Sequence, residues 1–151
     1  YVTRIRQDDY LLVDGYNIIF AWDELKAIAA EDVNAARERL VNIMSNYQGV
    51  RRCHLILVFD AYKVKGGTGS VEKRHGIHIV YTREAETADM YIEQASYDLS
   101  RRHRVRVATS NGMEQMIILG HGAERMSATE LKWEVEQADE HLHGIIQNLQ
   151  P

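Results

Sequence analysis

Residues 10–20 read YLLVDGYNIIF, an apolar run that stops at an acid and a glycine. A run this short, bounded this way, predicts a buried strand over Tyr10–Val13 with Asp14 at its C-terminal edge. The same shape recurs outward from it. HLILVFD (54–60) closes on Asp60, IHIVYT (77–82) leads toward ETADMYIEQASYDLSRR (86–102), and RVRVATS (104–110) runs into Asn111. ERM (124–126) reads as a short fifth strand.

Between these runs the apolar spacing turns helical. Val33, Ala36, Leu40, Ile43, Met44 and Tyr47 share one face of a helix capped by Asp32, with Gly49 just past its end. Ala88, Tyr91, Ile92, Ala95 and Leu99 mark a second helix, and NGMEQMIILG (111–120) a third. Ser127 and Glu130 form an S-x-x-E capping box that opens a long amphipathic helix to about Leu149. AYKVKGGTGSVEKRHG (61–76), with four Gly and no period, predicts a mobile basic loop. Strands alternating with helices specify an α/β fold, a mostly parallel sheet between two helical layers.

Composition agrees. The 151 residues are 45% hydrophobic and 26% charged, which is the usage of a folded chain, and one domain over 1–151 is expected. The lone Cys53 excludes a disulfide framework and multi-cysteine zinc modules. No apolar run reaches the ~18–20 residues of a spanning helix, and YVTRIRQDDY lacks a signal-peptide core. The expectation is a soluble cytoplasmic protein with no membrane partner.

Charge is segregated along the chain. The formal net charge of −4 argues against a strongly basic nucleic-acid coat protein. Residues 51–75 nevertheless carry Arg51, Arg52, Lys63, Lys65, Lys73 and Arg74 against Asp60 and Glu72, and RRHRVR (101–106) carries four Arg and no acid. A solvated surface is the plainer reading of either cluster alone, and the acidic motifs beside them weaken it.

In open parallel sheets the working site lies outside the C-terminal ends of the strands. Asp14, Asp60 and Ser110–Asn111 fall there, and Asp89 opens the helix after IHIVYT with Glu86 three residues earlier. Taken singly, each acid has a structural role: an Asp-Gly turn, a strand-end turn, a first helical turn facing the dipole. Asn17 and Ser110 likewise suit caps. Taken together they bring carboxylates from distant segments to one rim, where a cation relieves their repulsion. Oxygen donors without His or Cys favour Mg²⁺ or Mn²⁺, ions that serve phosphodiester hydrolysis. GGTG (66–69) lacks the Lys-Ser/Thr of a P-loop, and no Gly-x-Ser-x-Gly elbow exists. Tyr16, Trp22 and Tyr62 could stack bases or fill the core.

DGYN (14–17), FDA (59–61), ETADMYIE (86–93) and ATSNGMEQ (108–115), in this order, resemble the YacP-like NYN domains, a branch of the PIN-like nucleases. The resemblance runs over essentially the whole chain. It implies a PIN-like α/β/α fold and divalent-metal-dependent RNA cleavage. For this branch it further implies a bacterial endoribonuclease acting on ribosome-associated mRNA. Carried onto this sequence, the acidic centre falls on Asp14, Asp60 and Asp89, with Asn17 and Ser110 as polar supports; Glu86, from its place beside Asp89, is a further supporting candidate. Asn111 departs from the family's usual TSD, offering an oxygen without a charge. In the mechanism so implied, Asp14 and Asp89 hold the metal and Asp60 and Asn111 complete its shell directly or through waters. Hydrolysis then leaves 5′-phosphate and 3′-hydroxyl ends, and Arg51, Arg52, Lys63, Lys65, Lys73 and Arg74 carry the RNA backbone.

Two other classes compete. A catalytically weak or inactive RNA- or ribosome-binding module on the same fold is favoured by Asn111 and the acidic balance. A doubly wound phosphatase or phosphoacceptor fits poorly, because position 16 is Tyr rather than an acid and ATSNG carries no Lys.

Overall fold

Leu11, Leu12 and Val13 are fully buried and leave neither face of their strand for water, so β1 (Tyr10–Asp14) lies inside the sheet. The computed structural model describes residues 9–61, 66–110, 112 and 122–149. Its six-stranded sheet runs β3-β4-β2-β1-β5-β6, with β2 (His54–Phe59), β3 (Ser70–Arg74), β4 (Ile77–Tyr81), β5 (Val105–Ala108) and β6 (Glu124–Met126). Only β3 is antiparallel to its neighbour. From β1 the chain moves outward first through β2 and later through β5, so strand order reverses at the C-terminal end of β1. That reversal opens the crevice where α/β sheets bind ligands.

Side-chain alternation divides the core in two. Leu11, Val13, Leu55, Leu57 and Phe59 face α1 (Gly15–Ala21), α2 (Asp23–Glu31), α3 (Val33–Arg51) and α5 (Ala128–Leu149). Leu12, Val58, Val80 and Val107 face α4 (Ala88–Ser100). The expected three-layer α/β arrangement is present, with helices on both faces. Among the described residues no helix is long and apolar enough to cross a membrane.

Several local expectations hold. Asp32 caps α3 by accepting from the Asn34 amide at 2.9 Å, and Ser127 and Glu130 exchange the capping-box bonds that open α5. Others are corrected. Gly49 lies inside α3; the helix closes instead on Arg52, whose φ of 57° is left-handed and costs a side-chain-bearing residue ~1 kcal/mol. The segment expected to be a loop contains β3, an exposed edge strand turned back through His75 and Gly76, both at positive φ. The helices α1 and α2 carry no expectation from the sequence. The helix expected over 111–120 lies outside the described residues except at Gly112.

Candidate active site

Asp14 is the last residue of β1 and shares a sheet face with Leu12, the face that α4 covers. Thr87 caps α4 by accepting from the Met90 amide at 3.1 Å, which sets Asp89 in the first turn. Asp60 follows β2, and the next amide, Ala61, donates to the buried Thr82 hydroxyl at 2.8 Å. Beyond β5, the Ser110 amide donates to Asn17 Oδ1 at 2.6 Å, tying that loop to α1. Asp14, Asn17, Asp60, Asp89 and Ser110 therefore line one open cavity of about 560 Å³.

Electrostatics single out Asp14. It is 7% exposed, and its pKa is raised to about 7 from an ordinary 3.8, with burial the largest cause. The neighbouring Asp89 carboxyl adds to this by repulsion and by hydrogen bonding to the protonated form, and Asp60 adds further repulsion. The Asn17 backbone amide pulls the other way. A cation beside Asp14 would offset the repulsion that Asp89 and Asp60 exert on its charged form. Among the described residues, no three His, Cys, Asp or Glu side chains are arranged to hold one ion jointly.

The other expected residues that the structure describes do not join them. Glu86 precedes α4 rather than lying within it, and its carboxylate accepts from the Arg83 amide at 3.2 Å, outside the cavity lining. Arg51 and Arg52 sit before β2, at the N-terminal edge of the sheet and a strand's length from Asp60. Arg74 pairs with Ile77 at that same edge, and its guanidinium is held by Glu38 at 3.0 Å. Lys73 is exposed on the edge strand. Lys63, Lys65 and Asn111 lie outside the described residues, as does Tyr62.

The cavity also has an apolar wall that sequence reasoning only half anticipated. Tyr16 lines it, with its hydroxyl accepting from Arg37 at 2.6 Å, and so does Phe20, 54% exposed. Trp22 is core instead, its indole donating to the Ala128 carbonyl at 2.9 Å. The signal for Phe20 was its place one turn after Tyr16, readable only once α1 is recognised as a helix.

A family model described as the YacP-like NYN domain matches residues 11–150. The uncharacterized protein YacP of Bacillus subtilis (strain 168) is 40% identical over 145 residues, spanning 93% of this chain and 83% of its own length. Two crystal structures of Rae1 (YacP) from Bacillus subtilis share the fold. A mutant form has TM-score 0.81 and 37% identity, over 93% of this chain and 83% of that one. A second has TM-score 0.79 and 39% identity, over 93% and 81%.

Proposed function

We propose that this chain, which belongs to the YacP-like NYN domain family, is a divalent-metal-dependent endoribonuclease that cuts mRNA in association with the ribosome. At the family level the function is of nuclease type and directed at RNA. One observation carries the finer reading: aspartates from the end of β1, from just after β2 and from α4 line a single open cavity, and burial, reinforced by the Asp89 carboxyl, raises the pKa of the most buried of them, Asp14.

Asp14 and Asp89 are the groups that would hold Mg²⁺ or Mn²⁺, with Asp60 and Asn111 completing the shell directly or through water. The donor set supports this, being oxygen throughout, and the Asp14–Asp89 pair is one that a cation would relieve. Mg²⁺ uses one or two carboxylates and keeps several waters, so it does not require three converging acids. When bound, such a cation activates water and offsets charge on a phosphodiester. The chain's own groups supply the rest. The Asn17–Ser110 bond fixes the cavity wall, and Phe20 and Tyr16 give a base an apolar surface. Lys63 and Lys65, near Asp60 in sequence, steady the backbone.

The test is cleavage of one mRNA, naked and ribosome-bound, with Mg²⁺ or Mn²⁺. The wild type is expected to cut the ribosome-bound form and Asp14→Ala to leave it whole. RNA binding with no cleavage under any of these conditions would favour the non-catalytic module.

A further inference from the structure

RRHRVR and the Arg51–Arg52 pair are far apart in sequence, and the acidic cavity uses neither. The fold brings them to one place. The Tyr10 amide donates to the Arg104 carbonyl at 2.9 Å, and the His54 amide donates to the Asp9 carbonyl at 2.8 Å. The α4–β5 connection and the end of α3 thus flank the start of β1, about two strand spacings or ~10 Å apart. Between them Tyr10 stacks on His54 with ring centroids 4.6 Å apart, and His103 meets Tyr10 at 4.9 Å.

We propose that this N-terminal edge of the sheet is a second RNA-binding surface. On it Arg52, Arg101 and Arg102 take backbone phosphates and the Tyr10–His54–His103 rings take a base. The proposal rests on the RNA-directed reading above and extends it to a face the cavity does not reach. β1 is five residues long, so the two edges are ~16 Å apart.

Charge complementarity argues for the occupant. Three of the acids near this edge are engaged by arginines: Arg104 is paired with Glu124 at 3.0 Å and approaches Asp9 at 3.9 Å, and Arg106 is paired with Glu134 at 3.2 Å, while Asp98, beside the rings, accepts from the Gln94 side-chain amide at 3.2 Å. Arg52 and Arg102 are exposed and have no ion pair among the described residues, and Arg101 lies over the exposed Tyr97 ring. Arg52 is also the residue that closes α3 in left-handed geometry, where glycine is favoured. A long cation kept in a backbone position that disfavours it points to use of the side chain. Exposed guanidinium groups around stacked rings match a single-stranded nucleic acid, with phosphates outside and bases on π-faces.

The experiment measures binding of a fluorescent single-stranded RNA to Asp14→Asn protein in EDTA, so that neither metal nor cleavage contributes. Adding Arg52→Glu, Arg101→Glu and Arg102→Glu is expected to weaken binding at least tenfold at low salt. The log–log salt slope should become shallower by roughly 0.7 for each phosphate that is no longer neutralised. Arg52→Gly is the control for structure: relief of the left-handed cap should raise the melting temperature while RNA binding falls. His54→Ala should weaken binding of RNA but not of polyphosphate. Unchanged affinity and slope in the triple variant would overturn the proposal, as would polyglutamate competing as well as RNA. Failure here with wild-type cleavage of a short oligonucleotide intact leaves the nuclease reading standing. Arginine-dependent binding, with a wild type that cleaves nothing in Mg²⁺ or Mn²⁺, would uphold this surface and overturn the nuclease reading.

Discussion

At Asp14, a pKa of about 7 in the fold against an ordinary 3.8 has a defined consequence for stability. Below about pH 4 both folded and unfolded chains are protonated there, and the protonated Asp14 fully benefits the fold. As pH rises toward 7 the unfolded chain releases its proton first, so without a cation stability falls through that window, by up to ~4 kcal/mol. Asp14→Asn should flatten that fall, raise metal-free stability above pH 7 and abolish cleavage; urea melts in EDTA at pH 5 and 8 check the first two. Phe20→Ala tests the cavity's apolar wall. Stacking is worth ~1–3 kcal/mol per base, so KM for RNA should rise about fivefold or more with kcat and stability little changed, as its 54% exposure allows. On the proposed reading Asn111→Asp adds a carboxylate to the metal's ligands, so its melting temperature should climb further on Mg²⁺ titration than that of the wild type. Equal climbs would remove Asn111 from the metal's ligands.

Gly15 shows how an element reads differently in sequence and in structure. Asp14–Gly15 has the look of a turn pair, yet Gly15 begins α1 directly from β1 and does not need positive φ. It is there for lack of a Cβ, which would run into the Phe59 ring and the Val58 carbonyl. Gly15→Ala should cost ~1–3 kcal/mol by overpacking and disturb the neighbouring Asp14, measurable as lost stability together with lost metal response. α3 and α5 are locked by Tyr47, whose hydroxyl donates to Glu134 Oε1 at 2.6 Å, while Arg106 donates to both oxygens of that carboxylate at 3.2 Å. Glu134→Ala should destabilise by about 2 kcal/mol, since it strands a partly buried guanidinium. The strands ending in acids were legible because burial on both faces forces a continuous apolar run. β3 was not, because SVEKR is an edge strand whose exposed residues show no alternation and whose charges guard an open edge. α1 and α2 were hidden by the absence of a spacer after β1 and of any side-chain N-cap at either start.

Across the whole molecule, the fold carries Asp14, Asp60 and Asp89 to one end of the sheet and Arg52, Arg101 and Arg102 to the other. The acidic cavity was legible in the sequence, since each strand end announces itself and topology sends all of them to one rim. The basic path was not. Arg51 and Arg52 lie within ten residues of Asp60, but β2 turns that proximity into separation, its six residues spanning ~20 Å. Only the fold shows that they belong with RRHRVR. The central claim is that the Asp14–Asp89 pair, loaded with a divalent cation, hydrolyses RNA. Its most direct measurement is the end chemistry and yield of cleavage of a defined mRNA by wild-type and Asp89→Asn protein, in Mg²⁺ or Mn²⁺ and in EDTA. Internal cuts with 5′-phosphate and 3′-hydroxyl ends, made only by the wild type and only with the cation, are the predicted result. Equal cutting in EDTA, or by Asp89→Asn, would contradict it.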